Sequence, residues 1–249
     1  MSILDLNARA FNDDVERNGG YAYTTGARLS SRMANERLTA ATLGLADFRG
    51  QRVLDVGCGD GTYTVELYDR GEPAFVQGID PAGAAIEAAR KAAGTRKLEF
   101  CVGSAYDLPY AAESFDTAYL RGVLHHMDRP VDALHEALRV AGRIVVVEPN
   151  GYSPILKLIE RVSRYHRGHG EKSYPPHRLR RWTEDLGGQV TAGRFAGLVP
   201  MFAPDAVARL LKIVEPLLEA TPVLRSVGCA VYVFVATRRQ RGGSRRPAA

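Results

Sequence analysis

The chain has 249 residues, of which 45% are hydrophobic and 24% are charged, and its formal net charge is +5. This length and composition are typical of one globular α/β domain with a full core, so a second domain is not required. No run of 18 apolar residues is present and residues 1–17 are too polar for a signal peptide, so the sequence predicts a cytoplasmic protein without a membrane span.

The chain begins with a predicted helical cap, residues 1–48, on a single domain that extends to residue 237. The clearest helix of this cap is predicted over residues 28–45, where Leu29, Met33 and Leu38 recur at a loosely helical spacing. The pattern ahead of that helix is broken at Gly19 and Gly20.

The first predicted strand leads into a glycine-rich loop. Residues 53–61 read Val-Leu-Asp-Val-Gly-Cys-Gly-Asp-Gly, with glycine at positions 57, 59 and 61. Glycine adopts positive φ and lets the backbone approach a ligand, while the next helix turns its N-terminal N–H groups toward that ligand. The loop therefore predicts a site for an adenosine-like group. It differs from the dinucleotide-binding pattern G-x-G-x-x-G, because position 62 is Thr.

Strands and helices then alternate along the chain, which predicts βαβ units and a parallel sheet. Further strands are predicted at residues 76–80, 98–102, 114–120, 143–148, 189–195 and 229–237. Helices are predicted near residues 61–70, 82–93, 130–139, 176–186 and 204–219, the last with a break at Pro216. The second strand ends at Asp80, about 20 residues past the loop, where doubly wound nucleotide folds place a carboxylate against ribose hydroxyls.

Four segments of this pattern resemble the class I methyltransferases that depend on S-adenosyl-L-methionine (SAM). They are the G-x-G-x-G loop with Asp55 two residues ahead of it, the strand that ends at Asp80, and residues 103–110 and 121–126. The resemblance covers about residues 50–150 and is to the small-molecule group with a type 11 methyltransferase domain, similar to ubiquinone and menaquinone methyltransferases. It implies a Rossmann-like doubly wound sheet of seven strands in the order 3-2-1-4-5-7-6. The last strand would be antiparallel, with helices before the sheet and a helical insertion after strand 5.

The resemblance also implies SAM as cofactor, S-adenosylhomocysteine (SAH) as product, and in-line SN2 transfer of the methyl group to an O, N or activated C atom of a small metabolite. Ser104 stands where the family pattern usually has Asp. The residues that the resemblance and the loop assign to the cofactor are Asp55, Gly57, Cys58, Gly59, Gly61, Asp80, Pro81, Ser104, Ala105, Tyr106 and Arg121.

Two adjacent histidines, His125 and His126, follow the fourth predicted strand at the edge of the expected cofactor site. Histidine titrates near neutral pH, so either one is a candidate acceptor for the proton that a nucleophile loses on methylation. A packing and hydrogen-bonding role is the alternative for both. In many members of the family an N-terminal segment covers the cofactor, so Tyr21 and Tyr23 are candidates to close the site or to pack as amphipathic rings.

Residues 150–181 form a basic insertion after the fifth strand, with eight Lys or Arg against two Glu. Because ligands bind outside the carboxyl ends of a parallel sheet, this charge predicts an anion-attracting rim and an acceptor that bears a negative group. Solvated helix faces are the alternative. The candidate substrate contacts in this rim are Arg164, His166, Arg167 and His169. Residues 198–202 and the apolar stripe of the helix at 204–219 are candidates for an apolar pocket or for core.

Three further expectations concern the C-terminal tail, the binding of metal and the class of partner. Residues 238–249 hold five Arg and no acid, which predicts a disordered basic tail. Cys58, Cys101 and Cys229 lack disulfide or metal spacing, so reduced thiols and no metal are predicted. A small-molecule substrate is favoured over nucleic acid, and the oligomeric state stays open.

Two other function classes remain. One is an RNA methyltransferase, which the basic tail and insertion favour, although no Asn-Pro-Pro-Tyr-type tetrapeptide follows strand four. The other is a protein with the same fold that does not methylate, such as a cyclase or a decarboxylase.

Overall fold

The computed structural model describes residues 28–162 and 172–239, which build a seven-stranded sheet with helices on both faces. The strands are β1 (Arg52–Val56), β2 (Phe75–Asp80), β3 (Leu98–Val102), β4 (Phe115–Arg121), β5 (Ala141–Pro149), β6 (Gly188–Ala196) and β7 (Val231–Arg238). Their order in the sheet is β3-β2-β1-β4-β5-β7-β6. The predicted fold class and strand order are confirmed.

The direction of the strands brings their carboxyl ends to one edge of the sheet. Strands β1 to β5 pair in parallel, and β7 pairs antiparallel with both β5 and β6. The central strands are buried on both faces, which is why β1 reads as an almost continuous apolar run. The chain reverses its direction of winding between β1 and β4, and such a switch point is where doubly wound sheets bind ligands.

Helices cover both faces of the sheet. They are α1 (Leu29–Leu43), α2 (Thr62–Gly71), α3 (Gly83–Ala93), α4 (Pro130–Val140), α5 (Pro154–Val162), α6 (Pro176–Asp185), α7 (Asp205–Ala220) and α8 (Pro222–Gly228). Neighbouring residues of β1 belong to different layers: Leu54 lies in a core cluster with Leu134 of α4 and Leu179 of α6, whereas Val53 clusters with Ile86 of α3. None of the helices in the described ranges is long and apolar enough to cross a membrane.

Helix α7 differs from the sequence prediction because it continues through Pro216 without a break. Glu215 and Glu219 flank the proline, and their carboxylates accept N–H groups from the loop after β6, at Leu198 and Gly197, both at 2.9 Å. These contacts hold the helix on both sides of Pro216. The predicted stripe on α7 is largely exposed rather than core, and Leu210 is 62% exposed. Helix α8 was not predicted.

The folded part of the chain extends past the predicted boundary at residue 237. Arg238 is the last residue of β7, and its guanidinium donates to Glu113 Oε1 at 2.7 Å and to the carbonyls of Leu138 and Arg139. The Arg239 N–H donates to the Gly187 carbonyl at 3.0 Å. Two arginines counted as tail therefore belong to the sheet and its edge, and the rest of the predicted tail, residues 240–249, lies outside the described residues.

Truncation after Arg239 is expected to leave both the free energy of unfolding and turnover unchanged, because the contacts that the structure describes for β7 and its edge reach only to that residue. Arg238→Ala is the matched variant, and it should lower the free energy of unfolding by about 1–3 kcal/mol through its lost hydrogen bonds. Urea denaturation followed by circular dichroism measures the free energy of unfolding of the truncated protein and of Arg238→Ala. A truncated protein as destabilised as Arg238→Ala would contradict the boundary drawn here.

Candidate functional site

A cavity of about 490 Å³ opens at the carboxyl ends of β1, β2, β4 and β5. Its size is typical of small-molecule sites. The walls are the loop after β1, the ends of the other strands, one face of α1, the start of α5 and residues 197–202. The predicted site residues that line it are Gly57, Cys58, Gly59, Asp80, Pro81, Ser104, Ala105, Tyr106, Arg121, His125 and His126.

The glycine loop takes the conformation that its sequence predicts. Gly57, Gly59 and Gly61 have φ values of 75°, 55° and 77°, a region that other residues rarely adopt. A Cβ at Gly57 would lie 2.6 Å from a methyl carbon of Val123, so this glycine lets β1 and the segment after β4 meet. A Cβ at Gly61 would lie 2.8 Å from the Cβ of Ala89. Gly61 therefore serves helix packing and does not line the cavity, and its predicted cofactor contact stays a prediction.

Asp80 connects the end of β2 to the glycine loop. Its carboxylate accepts the Gly59 N–H at 3.0 Å and the Ala82 N–H at 2.9 Å, and the residue is 8% exposed. Burial raises the pKa of Asp80 to about 6, although the two backbone donors oppose that rise. The group is thus a buried acceptor at the cavity wall that ionises at neutral pH.

Asp55, at the fourth position of β1, does not line the cavity, and its predicted cofactor contact stays a prediction. Its carboxylate accepts the Thr64 hydroxyl at 2.6 Å, which joins β1 to α2. Burial raises the pKa of Asp55 to about 7, and the Thr64 hydrogen bond and the charge of Arg121 oppose the rise. The role visible for this carboxylate is to hold the first turns of α2 under the loop.

Arg121 joins the end of β4 to the N-terminal helix. Its guanidinium lies 3.7 Å from the centroid of the Tyr63 ring and donates to Thr39 Oγ1 at 2.8 Å. It also donates to the backbone and side-chain oxygens of Asn35 at 3.3 Å. These contacts hold α1 against the cavity, where Asn35 is itself part of the wall.

The wall after β3 is formed by Ser104, Ala105 and Tyr106. Ser104 Oγ accepts the Tyr106 N–H at 3.2 Å, and the Tyr106 ring lies 4.6 Å from the guanidinium carbon of Arg129. These local contacts set the direction of the chain along the cavity.

A buried carboxylate orients His125. Glu148, near the end of β5, is 1% exposed, and its Oε2 lies 2.9 Å from His125 Nδ1. Its Oε1 accepts the N–H groups of Val123 and Leu124, both at 2.8 Å. The same carboxylate therefore fixes the backbone turn after β4 and one ring nitrogen of the histidine. A carboxylate that binds one ring nitrogen sets the orientation of the imidazole, as it does in sites where histidine is a general base.

His126 stacks on His125, with ring centroids 3.9 Å apart. Both rings line the cavity, but Glu148 holds only His125 in the contacts described above. The sequence predicts both histidines as candidate bases but does not single out Glu148. A strand that ends in Glu-Pro-Asn, adjacent in the predicted sheet to the strand before the histidines, was the available signal.

The basic insertion begins over the cavity through α5, which contributes Ile155, Leu156 and Ile159 to the lining. Glu160 then accepts the Ser173 N–H at 2.9 Å and Lys157 Nζ at 3.0 Å, which joins the start of the insertion to its return. The Lys172 N–H donates to the His125 carbonyl at 3.2 Å.

The cations of the insertion that the structure describes are not part of the cavity wall. Lys157 is paired with Glu160, Arg181 lies 3.8 Å from Asp185, and Arg178 lies over the rings of Tyr174 and Trp182. None of the six cations described in this window lines the cavity, so they give the predicted anion-attracting rim no support. The candidate contacts Tyr21, Tyr23, Arg164, His166, Arg167 and His169 lie outside the described residues and remain predictions.

Within residues 28–162 and 172–239, no three His, Cys, Asp or Glu side chains gather into a possible metal site. The described lining of the cavity offers the glycine loop, Arg121, the histidine pair and five carboxylates, those of Asp60, Asp80, Asp128, Glu148 and Glu160.

Known proteins match the region that builds this cavity. Residues 54–146 match the methyltransferase domain family. A tRNA U34 carboxymethyltransferase of Desulfotalea psychrophila is 31% identical over 108 residues, which are 41% of this chain and 33% of that protein. A demethylmenaquinone methyltransferase of Clavibacter sepedonicus is 34% identical over 122 residues, 47% of this chain and 49% of that protein. The chain thus spans a third to a half of the length of these curated relatives.

The solved structure of magnesium protoporphyrin IX methyltransferase from Synechocystis PCC 6803, which has SAH bound, has a TM-score of 0.63 at 15% identity. The match covers 95% of this chain and 98% of that one. It shows that the common fold extends well beyond residues 54–146.

Proposed function

We propose that this chain, which belongs to the class I SAM-dependent methyltransferases through its domain at residues 54–146, transfers the SAM methyl group to an oxygen or nitrogen atom of a small molecule. The observation that carries the proposal is the pairing of His125 with Glu148 in the wall of the cavity that also holds the glycine loop and Asp80.

The residues at the cavity fit the cofactor. Gly57 and Gly59 leave backbone without side chains at the wall, and the Asp80 carboxylate is positioned to accept hydroxyl hydrogens of a ribose. Ser104 to Tyr106 would border the adenine, and Arg121 would face the methionine end. SAM supplies a methyl group that is already electrophilic, so the protein needs to align a nucleophile and to exclude water.

His125 is assigned as the general base. As an acceptor O–H or N–H is methylated, its proton passes to His125 Nε2, and the Glu148 carboxylate stabilises the positive charge that the ring then carries. His125 and the turn around it are also held by the return of the insertion, through the Lys172 N–H. The His125 ring is therefore held by Glu148 of β5, and its backbone is held by Lys172 at the return of the insertion.

A second candidate substrate is tRNA, because several similar proteins are tRNA U34 carboxymethyltransferases. Binding of RNA depends strongly on cationic surfaces that contact phosphates. The described lip of this cavity instead exposes Ile155 (67% exposed) and Phe202 (57% exposed), and Arg121 is the one Lys or Arg among its described lining residues. A small-molecule acceptor fits this surface better.

Incubation with SAM carrying an isotopic label in its methyl group, with a metabolite extract and separately with total tRNA, tests the proposal. Label recovered by mass spectrometry in a small organic molecule is the expected result. Label in tRNA would establish the second candidate instead. SAH binding without transfer to either pool would favour the non-methylating class.

Glu148→Gln is expected to lower kcat by about 10- to 100-fold while KM for the acceptor changes little, because the carboxylate orients His125 and does not touch substrate. SAH affinity, measured by calorimetry, should stay within about twofold, since the glycine loop and Asp80 are unaltered. That affinity also reports whether the buried substitution has disturbed the fold. An unchanged kcat in a variant that binds SAH normally would remove Glu148 from the mechanism.

A further inference from the structure

We infer that two copies of this chain pair through a face formed by α7 and α8, with the two α7 helices packed against each other about a two-fold axis near Ile213. The α7–α8 face consists of eight apolar side chains that are 40–76% exposed, namely Val207, Leu210, Ile213, Val214, Leu217, Val223, Leu224 and Val227. The pairing does not depend on which acceptor the cavity binds.

The first observation is that the polar and apolar sides of α7 are reversed relative to a usual surface helix. At 3.6 residues per turn, Leu210, Ile213 and Leu217 lie on one side of the helix, and they are 62%, 76% and 73% exposed. The opposite side carries Glu215, which is 2% exposed, and Ala208, which is fully buried. A helix whose outer side faces water normally presents polar residues there. The outer side of α7 is therefore suited to contact another apolar surface.

The second observation is that charged side chains hold α7 in this orientation. Glu215 accepts the Leu198 N–H at 2.9 Å and Lys212 Nζ at 2.7 Å. Arg37 of α1 pairs with both Glu215 and Glu219. Turning the apolar side of α7 inward would break these contacts and leave buried charges without their partners, which is strongly unfavourable. The outward direction of the apolar side is thus a fixed feature of the fold.

The polar side of α7 also distinguishes a protein partner from a lipid surface. A helix that lies in a lipid headgroup layer presents cations on its polar side. The polar side of α7 instead carries Glu215 and Glu219, and it is packed on α1 and on the segment after β6. An apolar surface with no charge at its centre is complementary to itself, and a two-fold contact uses the same surface on both copies. A second copy of the chain therefore fits this face.

The spacing and size of the face fit a pair of helices. Leu210, Val214 and Leu217 recur at intervals of four and three residues, the spacing of helices that pack along a common seam. Full burial of a Val, Leu or Ile side chain removes on the order of 100 Å² from water, so the exposed parts of the eight side chains offer on the order of 500 Å². A stable interface buries about 800 Å² per partner, of which about 60% is apolar. The face is therefore large enough for a stable dimer.

Helix α8 adds to the same surface because it packs directly on α7. A Cβ at Gly228, the last residue of α8, would lie 2.9 Å from a methyl carbon of Leu218, so the glycine allows the close approach of the two helices. Val223 and Leu224 of α8 are 73% and 51% exposed. The two helices thus form one apolar surface rather than two separate patches.

Sedimentation equilibrium of the full chain tests the pairing. At about 50 µM chain the expected species has twice the chain mass of 27.2 kDa. Ile213→Glu should raise the dissociation constant of the dimer at least about 100-fold, because like charges would meet near the axis. Val102→Glu is the matched control, since Val102 is 57% exposed on β3, at the edge of the sheet opposite β6. A monomeric chain at this concentration, or equal effects of the two substitutions, would overturn the inference.

A charge exchange identifies the occupant of the face. Ile213→Lys should also be monomeric alone, whereas an equimolar mixture with Ile213→Glu should form dimers again, because opposite charges then meet at the axis. A mixture that stays monomeric would overturn the two-fold pairing of α7. Cosedimentation of the chain with phosphatidylglycerol vesicles that is lost in Ile213→Glu would also overturn it, since lipid would then be the occupant. Circular dichroism should show an unchanged fold in both variants, because the Ile213 side chain is 76% exposed.

Discussion

His125→Ala is expected to lower kcat by about 10²- to 10⁴-fold, which is the range that a positioned general base contributes. In the proposed mechanism His125 takes up the proton, and alanine removes the imidazole that Glu148 orients without altering the glycine loop. SAH affinity should therefore change by no more than about twofold. Turnover of the acceptor found with labelled SAM, and calorimetry with SAH, measure the two quantities.

His126→Asn is the matched control for this prediction, since the two rings stack 3.9 Å apart and both line the cavity. His126→Asn should lower kcat less than His125→Ala does, because Glu148 orients His125. Added imidazole should restore part of the activity of His125→Ala and none of any loss in His126→Asn. A larger loss in His126→Asn would reverse the assignment of the base that the sequence left open between the two.

The cofactor half of the site was largely predictable because it is encoded locally. The three glycines, Asp80 and residues 104–106 each lie directly after an apolar strand, and parallel strands bring such positions to one edge. Two predicted contacts lie outside the cavity lining: Gly61 packs against Ala89 of α3, and the Asp55 carboxylate binds Thr64 of α2. Motif spacing specifies the chain path but not which members of the motif reach the cavity.

The acceptor half was less predictable because its parts are far apart in the chain. Glu148 reaches His125 only because β4 and β5 are paired, and Leu198 reaches the cavity wall where α7 holds the segment after β6. The charge count of the insertion favoured an anionic substrate, which stays a prediction because a count does not show which side chains are already paired. Lys157 with Glu160 is one such pair.

Asp80→Ala is expected to weaken SAH binding by about 10- to 150-fold, which corresponds to about 1.5–3 kcal/mol for hydrogen bonds to a charged acceptor. The loss should be larger than any change in acceptor binding, because Asp80 lies at the glycine loop and away from α5. The Gly59 N–H would also lose its acceptor, so the loop itself becomes less well held. Unchanged SAH affinity in a folded Asp80→Ala protein would contradict the cofactor site.

The pH dependence of SAH binding follows from the same carboxylate. Burial raises the pKa of Asp80 to about 6, and the ionised carboxylate is the form that best accepts the ribose hydroxyls. The affinity for SAH should therefore be highest above neutral pH and should fall as the pH drops through 6. At pH 5 the expected loss is about tenfold, since about nine-tenths of the carboxyl groups are then protonated. Asp80→Asn should abolish this slope, because the amide does not titrate. A pH dependence that persists in Asp80→Asn would identify a second titrating group. Asp55 is the candidate, because burial raises its pKa to about 7 and its carboxylate binds Thr64 of α2.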